Sequence, residues 1–348
     1  MDSRSIGIVY ELFGAYPHRP GDPADADVEY EPEATLLALE AGIRQLGHRP
    51  VRLGRPHDLL AAAGKGTLAL DLAAALTIAE GFGSRNREAW APVLLELLEI
   101  PQLGSDALTL SLSLDKAWTR AVVAERGVPV APGRVVRSAA EAEHAELPAD
   151  FPCFVKPRWE GSAKGIGIRS RVDDRPALVS AVRRVLDHYH QPALVEQFLP
   201  GAEYTVTLFG NDPPQALPVL QRALESESRI GLHAVEAKPG ERNTSTSAGN
   251  AMDGRPPAHC VPGALDSPLE TELVRLAALA FAALECRDFA RVDFKCDAAG
   301  RPVFLEINPL PSFGPESSFG IHAELLGRSL EELLAQTLGA GLRRLGIA

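Results

Sequence analysis

The sequence predicts a mixed α/β protein in which a small parallel-sheet unit precedes two α+β units. Three features carry that reading. Strand-like and helix-like segments alternate over roughly residues 1–104, as in a parallel sheet with covering helices. The second half is rich in short strands and includes two joined by a tight DAAG turn. At 348 residues, with 45% apolar and 23% charged residues, the chain can build two or three cores and has the make-up of an ordered globular protein.

In the first unit RSIGIVY (4–10) reads as a strand and EPEATLLALEAGIRQLG as a helix, with Leu36, Leu39, Ile43 and Leu46 at helical spacing and Gly47 as the stop. PVRL and TLALDL read as two more strands, and REAWAPVLLELLEIP as a helix ending before Pro101. The first turn, ELFGAYPHRPG, lacks the G-x-G-x-x-G of a dinucleotide site. The second unit opens near Ser105. A helix is expected over 113–126, with Leu114, Ala117, Trp118, Ala121 and Val122 on its apolar face, Lys116 off that face and Gly127 as cap. A further helix spans about 175–189, started by Asp173 or Asp174. ALVEQFL, EYTVTLFG and QALPVLQ read as strands. The polar, Gly- and Pro-rich stretch 238–262 reads as a long loop. Helices are expected over about 268–286 and 329–345, with two strands after the first of them.

Several function classes are excluded at this level. A net charge of −11 without a basic run argues against nucleic acid. No basic n-region and no apolar run of about 18 residues is present, so neither a signal peptide nor a membrane span is expected. The scattered cysteines Cys153, Cys260, Cys286 and Cys296 suit a reducing cytosol. No H-e-x-x-H type spacing marks a metal site, and the nine histidines read as structural or surface residues. Of 35 basic residues only six are lysine: Lys65, Lys116, Lys156, Lys164, Lys238 and Lys295. A chain so partial to arginine keeps lysine where a compact point charge is needed.

The segment CFVKPRWEGSAKGIGI (153–168) puts two lysines and three glycines at the mouth of a β-hairpin, a combination suited to an anion. In the last two strands, FARVDFKC and PVFLEIN, period-two alternation puts Arg291, Asp293 and Lys295 on one face and Phe304, Glu306 and Asn308 on one face. If Asp297–Gly300 form a four-residue turn, Arg291 stands opposite Glu306 and Asp293 opposite Phe304; an odd-length turn reverses that parity. Asp293, Glu306 and Asn308 then suit Mg²⁺, which takes a few carboxylates plus substrate phosphates. A solvent face with an Arg291–Glu306 surface pair explains the hairpin alone equally well. With the glycine loop, nucleoside triphosphate binding is the economical reading, although no P-loop sequence is present.

Together FVKPRWEGSAKGIGI, LVEQFLPGAEYTV, HAVEAK, FARVDFKCDAAGRPVFLEIN and GSDALTLSLSLDK resemble the ATP-grasp ligases and, within them, the D-alanine–D-alanine ligases, in family order over about 105–320. The resemblance implies an N-terminal domain (1–104), a central subdomain with a glycine-rich flap (105–197) and a C-terminal subdomain with metal site and lid loop (198–348). ATP would lie between the last two. By that resemblance Lys116 and Lys156 contact the phosphates, and Glu160, Gly161, Ser162 and Gly165 belong to the flap, with Lys164 on its surface. Glu196, Phe198 and Leu199 hold the adenine and Glu203 the ribose. Lys238 reaches the γ-phosphate, and Asp293, Glu306 and Asn308 hold two Mg²⁺, with Mn²⁺ as a substitute. Arg291, with a backbone N–H near Ser312, meets the oxyanion of the tetrahedral intermediate.

Departures from the family pattern fall where amino-acid substrates are recognised. Ser312 stands where these ligases generally carry glycine, Pro239 follows Lys238 in place of a tyrosine, and LTIAEGFGSRNREA, with Glu80, replaces a histidine-containing loop. Glu31 is matched to the residue receiving the first substrate's ammonium and Ser317 to the one holding the second substrate's carboxylate. The expected activity is ATP- and Mg²⁺-dependent joining of D-alanine to D-alanine, with ADP and phosphate released, in a cytoplasmic homodimer serving cell-wall synthesis. The alternatives are a ligase that joins or cyclises other amino acids in specialised, antibiotic-type metabolism, and an inactive nucleotide-binding protein.

Overall fold

The computed structural model describes residues 3–67, 71–144, 146–225, 227–231, 261–262 and 267–347. The first unit is a four-stranded parallel sheet, β1 (Ser5–Tyr10), β2 (Arg49–Gly54), β3 (Leu72–Ile78) and β4 (Gln102–Leu103), in the order β2-β1-β3-β4. A parallel sheet needs cover on both faces. Helices α1 (Glu33–Gln45), α2 (Pro56–Gly64) and α3 (Trp90–Leu97) supply most of it. Leu59 and Leu95, from α2 and α3, bury against Val9 and Ala75, while Leu36, Leu39 and Ile43 of α1 pack on Ile6 and Ile8. The third strand, Leu72–Ile78, begins where the expected TLALDL stretch ends: of its described residues, 67, 71 and 72, Leu72 alone is in the strand. LAAALTI gives a weak strand signal because its alanines are what fits beneath closely packed helices.

Helices α4 (Ala107–Leu114) and α5 (Lys116–Glu125) follow, not one helix over 113–126. Asp115 breaks the run by capping α5, its Oδ1 accepting from the N–H groups of Ala117 and Trp118, both at 3.2 Å. The buried face of α5 is Lys116, Thr119, Arg120 and Val123, whereas Trp118 is 52% exposed, under the guanidinium of Arg85. The apolar-stripe expectation fails here because the inward face meets a polar cavity.

The second sheet is antiparallel, β5 (Gly133–Val136), β6 (Cys153–Pro157), β7 (Arg171–Val172) and β8 (Ala193–Gln197), in the order β5-β8-β6-β7. Helices α6 (Ala139–His144) and α7 (Arg175–Tyr189) cover one face, with Leu178, Val182 and Val185 packed on Val155 and Val195. Asp174 caps α7 by accepting from Ala177 N at 2.8 Å, as anticipated.

The third sheet contains β9 (Glu203–Phe209), β10 (Gln215–Ala216), β11 (Leu220–Arg222), β12 (Val261–Pro262), β13 (Phe289–Cys296) and β14 (Pro302–Asn308). Its order is β12-β11-β9-β13-β14, with β10 on β9, and every pair is antiparallel. Helix α8 (Ser267–Ala283) covers one face. The expected loop over 238–262 otherwise lies outside the described residues. In the β13–β14 hairpin Cys296 pairs with Pro302, so the turn has odd length and the expected register is wrong. The register shifts between Asp293 and Phe294: Phe294 faces Phe304, Asp293 faces Glu306, and Leu305 is the extra residue of a β-bulge. The bulge restores the parity that the turn reverses. It also separates Phe304, which packs on Phe294 in the core, from Glu306.

Helices α9 (Ser318–Leu325) and α10 (Leu330–Arg344) return the chain to the first unit. Leu333, Leu334, Leu338 and Leu342 pack against α1 and the first sheet, each burial worth roughly 1.5–3 kcal/mol as an upper bound. Asp288, fully buried, ties the units together. Its carboxylate accepts from Gly104 N (2.8 Å), Asn211 Nδ2 (2.9 Å) and both Nε and Nη2 of Arg344 (2.7 Å each). Asp288→Ala strands these donors, so a loss of about 3 kcal/mol is expected in urea unfolding. A loss under about 1 kcal/mol would contradict the bridging role.

Candidate active site

The polar faces of the second and third sheets enclose a cavity of about 360 Å³, within the size range of small-molecule sites. In β6 and β8 alternation sends Val155 and Val195 to the core and Phe154, Lys156 and Glu196 to the cavity. In β9 and β13 it sends Val206 and Val292 to the core and Glu203, Arg291, Asp293 and Lys295 to the cavity. Leu305 and Glu306 both line it, two successive side chains on one side of the bulge. Ser162, Ala163 and Ile166 of the glycine loop and Val28 of the first unit complete the wall.

Five ion pairs among the described residues face this space: Lys116–Glu306 (3.0 Å), Lys156–Glu196 (2.7 Å), Lys295–Glu203 (3.2 Å), Arg291–Asp293 (2.9 Å) and, longer, Arg291–Glu306 (3.9 Å). Burial disfavours an ionised Glu306, but Lys116, Arg291 and Lys156 outweigh it and hold the carboxyl down at about 2. Arg120 braces Glu196 from behind at 2.7 Å. Thr205 Oγ1 donates to Asp293 Oδ1 at 2.6 Å and accepts from Arg222 Nε at 3.0 Å. Lys116 is aimed by its neighbour. Asp115 accepts from Arg158 Nε (2.7 Å) and Trp159 Nε1 (3.0 Å) and so fixes the start of α5 against the end of β6.

Of the residues singled out in the sequence, Lys116, Lys156, Glu160, Ser162, Glu196, Phe198, Leu199, Glu203, Arg291, Asp293 and Glu306 therefore meet in one cavity. Gly161 and Gly165 lie just behind it, their N–H groups bonded to Glu29 and Asp25. Asn308 is opposite Arg291 but does not line the cavity; its Oδ1 accepts from Leu310 N at 3.0 Å. Lys238 and Pro239 lie outside the described residues. Lys164 is not on the surface: buried, it pairs with Glu29 (2.6 Å) and Glu160 (2.7 Å). Sequence reasoning missed Lys295, Arg222, Arg120 and Thr205 as site residues. Lysine scarcity and the shared face with Asp293 were a sufficient signal for Lys295. Among the described residues no group of three or more His, Cys, Asp or Glu is arranged to hold a metal.

The expected amino-acid-binding residues gather elsewhere. Glu31 accepts from Thr35 Oγ1 at 2.7 Å and also hydrogen-bonds Ser312, whose Oγ accepts from Gly314 N at 3.3 Å. Ser317 caps α9, accepting from Phe319 N at 3.1 Å. Burial, then the charges of Glu88 and Glu29, push the carboxyl of Glu80 well above the usual range. Glu88 is pushed up to about 7, by burial against the pull of Arg87 and with repulsion from Glu29. A carboxyl raised in the folded state binds its proton more tightly there than in the unfolded chain, so stability falls as pH rises from about 4.5 to about 7. Glu88→Gln should raise the thermal midpoint by a few degrees at pH 8, and the gain should vanish near pH 4.5. An equal gain at both pH values would contradict this assignment.

Comparison with known proteins points to one family. The family model for the C-terminus of D-ala D-ala ligases matches residues 122–339. The D-alanine–D-alanine ligase of Pelotomaculum thermopropionicum is 31% identical over 263 residues, 73% of this chain and 76% of that one. An uncharacterized protein of Sinorhizobium fredii, y4sG, is 28% identical over 332 residues, 94% of this chain and 93% of that one. Among solved structures, the VanG D-Ala:D-Ser ligase of Enterococcus faecalis superposes with a TM-score of 0.69 at 17% identity, covering 98% of this chain and 100% of that one. The Bacillus anthracis D-alanine–D-alanine ligase complexed with ATP superposes with a TM-score of 0.68 at 19% identity, covering 99% of each. The ATP-grasp architecture expected from the sequence is thus the observed one, and the chain belongs to the D-alanine–D-alanine ligase family.

Proposed function

We propose that the chain is an ATP-dependent carboxylate–amine ligase that joins two amino acids, D-alanine to D-alanine, through an acyl phosphate. The observation that carries the reading is the cavity itself, where lysines and paired carboxylates face one another under a glycine loop. Lys116 and Lys156 neutralise the phosphates of ATP, and the N–H groups of Ser162 and Ala163 add donors from the flap. Glu196, Phe198 and Leu199 receive the base and Glu203 the ribose.

Asp293 and Glu306 fit Mg²⁺: directly opposed in register and both facing the cavity, they are two carboxylates for an ion that completes its shell with phosphate oxygens and water. Asn308, next on that strand face, would give an amide oxygen only by releasing Leu310 N. Two ions, or Mn²⁺ in their stead, are part of the same proposal. When bound, the metal supplies charge neutralisation on the transferred phosphoryl group.

The substrate carboxylate attacks the γ-phosphorus, the bond to the β-phosphate oxygen breaks, and ADP leaves. The second substrate's amine attacks the acyl carbon, and Arg291 with the backbone near Ser312 steadies the oxyanion until phosphate departs. Lys238 joins at the γ-phosphate in this scheme, Glu31 and Glu80 receive the first amino acid, and Ser317 the second. A cytoplasmic homodimer with the three-part division 1–104, 105–197 and 198–348 belongs to the proposal.

A second reading, a ligase for other amino acids in specialised metabolism, rests on where the sequence departs from the family pattern: Ser312, Pro239 and the segment around Glu80, all in the part of that pattern expected to recognise the amino-acid substrates. The test is ATP turnover with D-alanine and then with D- and L-amino acids singly and in pairs, products weighed by mass spectrometry. D-Ala–D-Ala as main product is expected; another dipeptide as main product would select the second reading. Glu306→Ala should cut ADP formation about 100-fold or more. Undiminished ADP formation in that variant would remove Glu306 from the metal site.

A further inference from the structure

We propose that Asp25 and Glu29, on the loop between β1 and α1, are positioning residues that clasp the glycine flap from behind and so set how it meets ATP. The inference rests on the ligase reading only for its nucleotide arm. Gly161 N donates to Glu29 Oε1 at 2.8 Å and Gly165 N to Asp25 Oδ2 at 3.0 Å. Lys164 Nζ sits 2.6 Å from Glu29 Oε2, and Arg87 Nη2 donates to both Glu29 oxygens at 2.8 Å while its Nη1 donates to Trp159 O at 2.9 Å. Tyr189 OH donates to Asp25 at 2.9 Å. The flap from Trp159 to Gly165 is thereby fastened along its length to an acidic loop of another unit, by charge-assisted bonds largely removed from water.

This changes what the glycines are for. A Cβ on Gly161 would lie 2.6 Å from Glu29 Oε1, so the missing side chain admits a carboxylate of the protein itself. Gly165 has φ +72°, and a Cβ there would meet Pro157 Cγ at 2.5 Å. With those two N–H groups committed, Ser162 and Ala163 are the flap residues between them that line the cavity, and their N–H groups have no partner among the described residues. Both residues are held in the left-handed region, φ 45° and 58°, a conformation that needs support from its surroundings. Asp25, Glu29, Lys164 and Arg87 supply it. Lys164, expected on the flap surface, is instead buried where a compact ammonium fits between Glu29 and Glu160.

The test is hydrogen exchange of the peptide spanning 159–167 in the full-length protein without nucleotide, with KM for ATP measured alongside. Asp25→Ala, at a half-buried site, and Glu29→Gln, which removes the charge paired with Arg87 and Lys164, should each speed exchange of that peptide about tenfold or more and raise KM for ATP more than they lower kcat. Asp25→Asn keeps an oxygen acceptor for Gly165 N and should return exchange close to wild type. The α10 peptide should exchange as in wild type in Asp25→Ala, which separates loss of the clasp from loss of fold. Unchanged flap exchange in Asp25→Ala and Glu29→Gln would overturn the proposal, as would faster exchange with KM for ATP unmoved. If the wild type turns over no ATP while the exchange results hold, the ligase reading fails and the clasp stands.

Discussion

Charge compensation inside one cavity is the constraint on which the rest of the structure depends. Lys116, Lys156, Lys295 and Arg291 are each held against a carboxylate, and single removal of either partner would leave an uncompensated charge in a largely desolvated space. The pairs tie α5 to β14, β6 to β8 and β9 to β13, so elements far apart in sequence are held together by electrostatics as well as by their cores. An Mg²⁺–ATP complex carries both signs. In the proposed reading phosphates would take the lysines as the metal takes Asp293 and Glu306, an exchange that leaves neither sign alone. A site built this way holds its groups near their working positions before the ligand arrives, which lowers the reorganisation needed on binding.

The hairpin that carries those carboxylates illustrates how far a sequence can be read. Period-two alternation correctly put Arg291, Asp293 and Lys295 on one face, because β13 is regular. The partner strand was misread, since neither the odd turn nor the bulge at Leu305 has a local signature. Two irregularities cancel, so Asp293 and Glu306 still share a face, but opposite each other rather than opposite Phe304 and Arg291. Lysine scarcity proved informative in the described residues: Lys116, Lys156 and Lys295 line the cavity and Lys164 is locked behind it, while Lys65 lies exposed at the end of α2. The apolar stripe assigned to α5 failed for a related reason. Functional helices turn polar side chains inward, and a rule that equates inward with apolar cannot see that.

The flap shows a different limit. Its glycines and lysines pointed to an anion, and one anion they meet is the protein's own, the carboxylate of Glu29, over 130 residues earlier in the chain. Nothing local in ADADVEYE announces that partner. Family resemblance likewise speaks to the ATP half more than to the amino-acid half, because lysines, glycines and paired carboxylates serve any phosphoryl transfer, whereas the residues proposed for the amino acids, Glu31, Glu80 and Ser317, follow no such general pattern. The crowding of Glu80 and Glu88 beside Arg87 is a chemical environment of its own, and it lies in the segment where the sequence departs from its relatives.

The most direct test of carboxylate activation follows an oxygen atom. With the amino acid labelled by ¹⁸O in its carboxylate, attack on the γ-phosphorus carries one labelled oxygen into the acyl phosphate and then into the phosphate released. Phosphate bearing one ¹⁸O per turnover is the expected result. Unlabelled phosphate, formed at the same rate as peptide, would mean that the carboxylate never bonds to phosphorus, and the account of this cavity would be wrong.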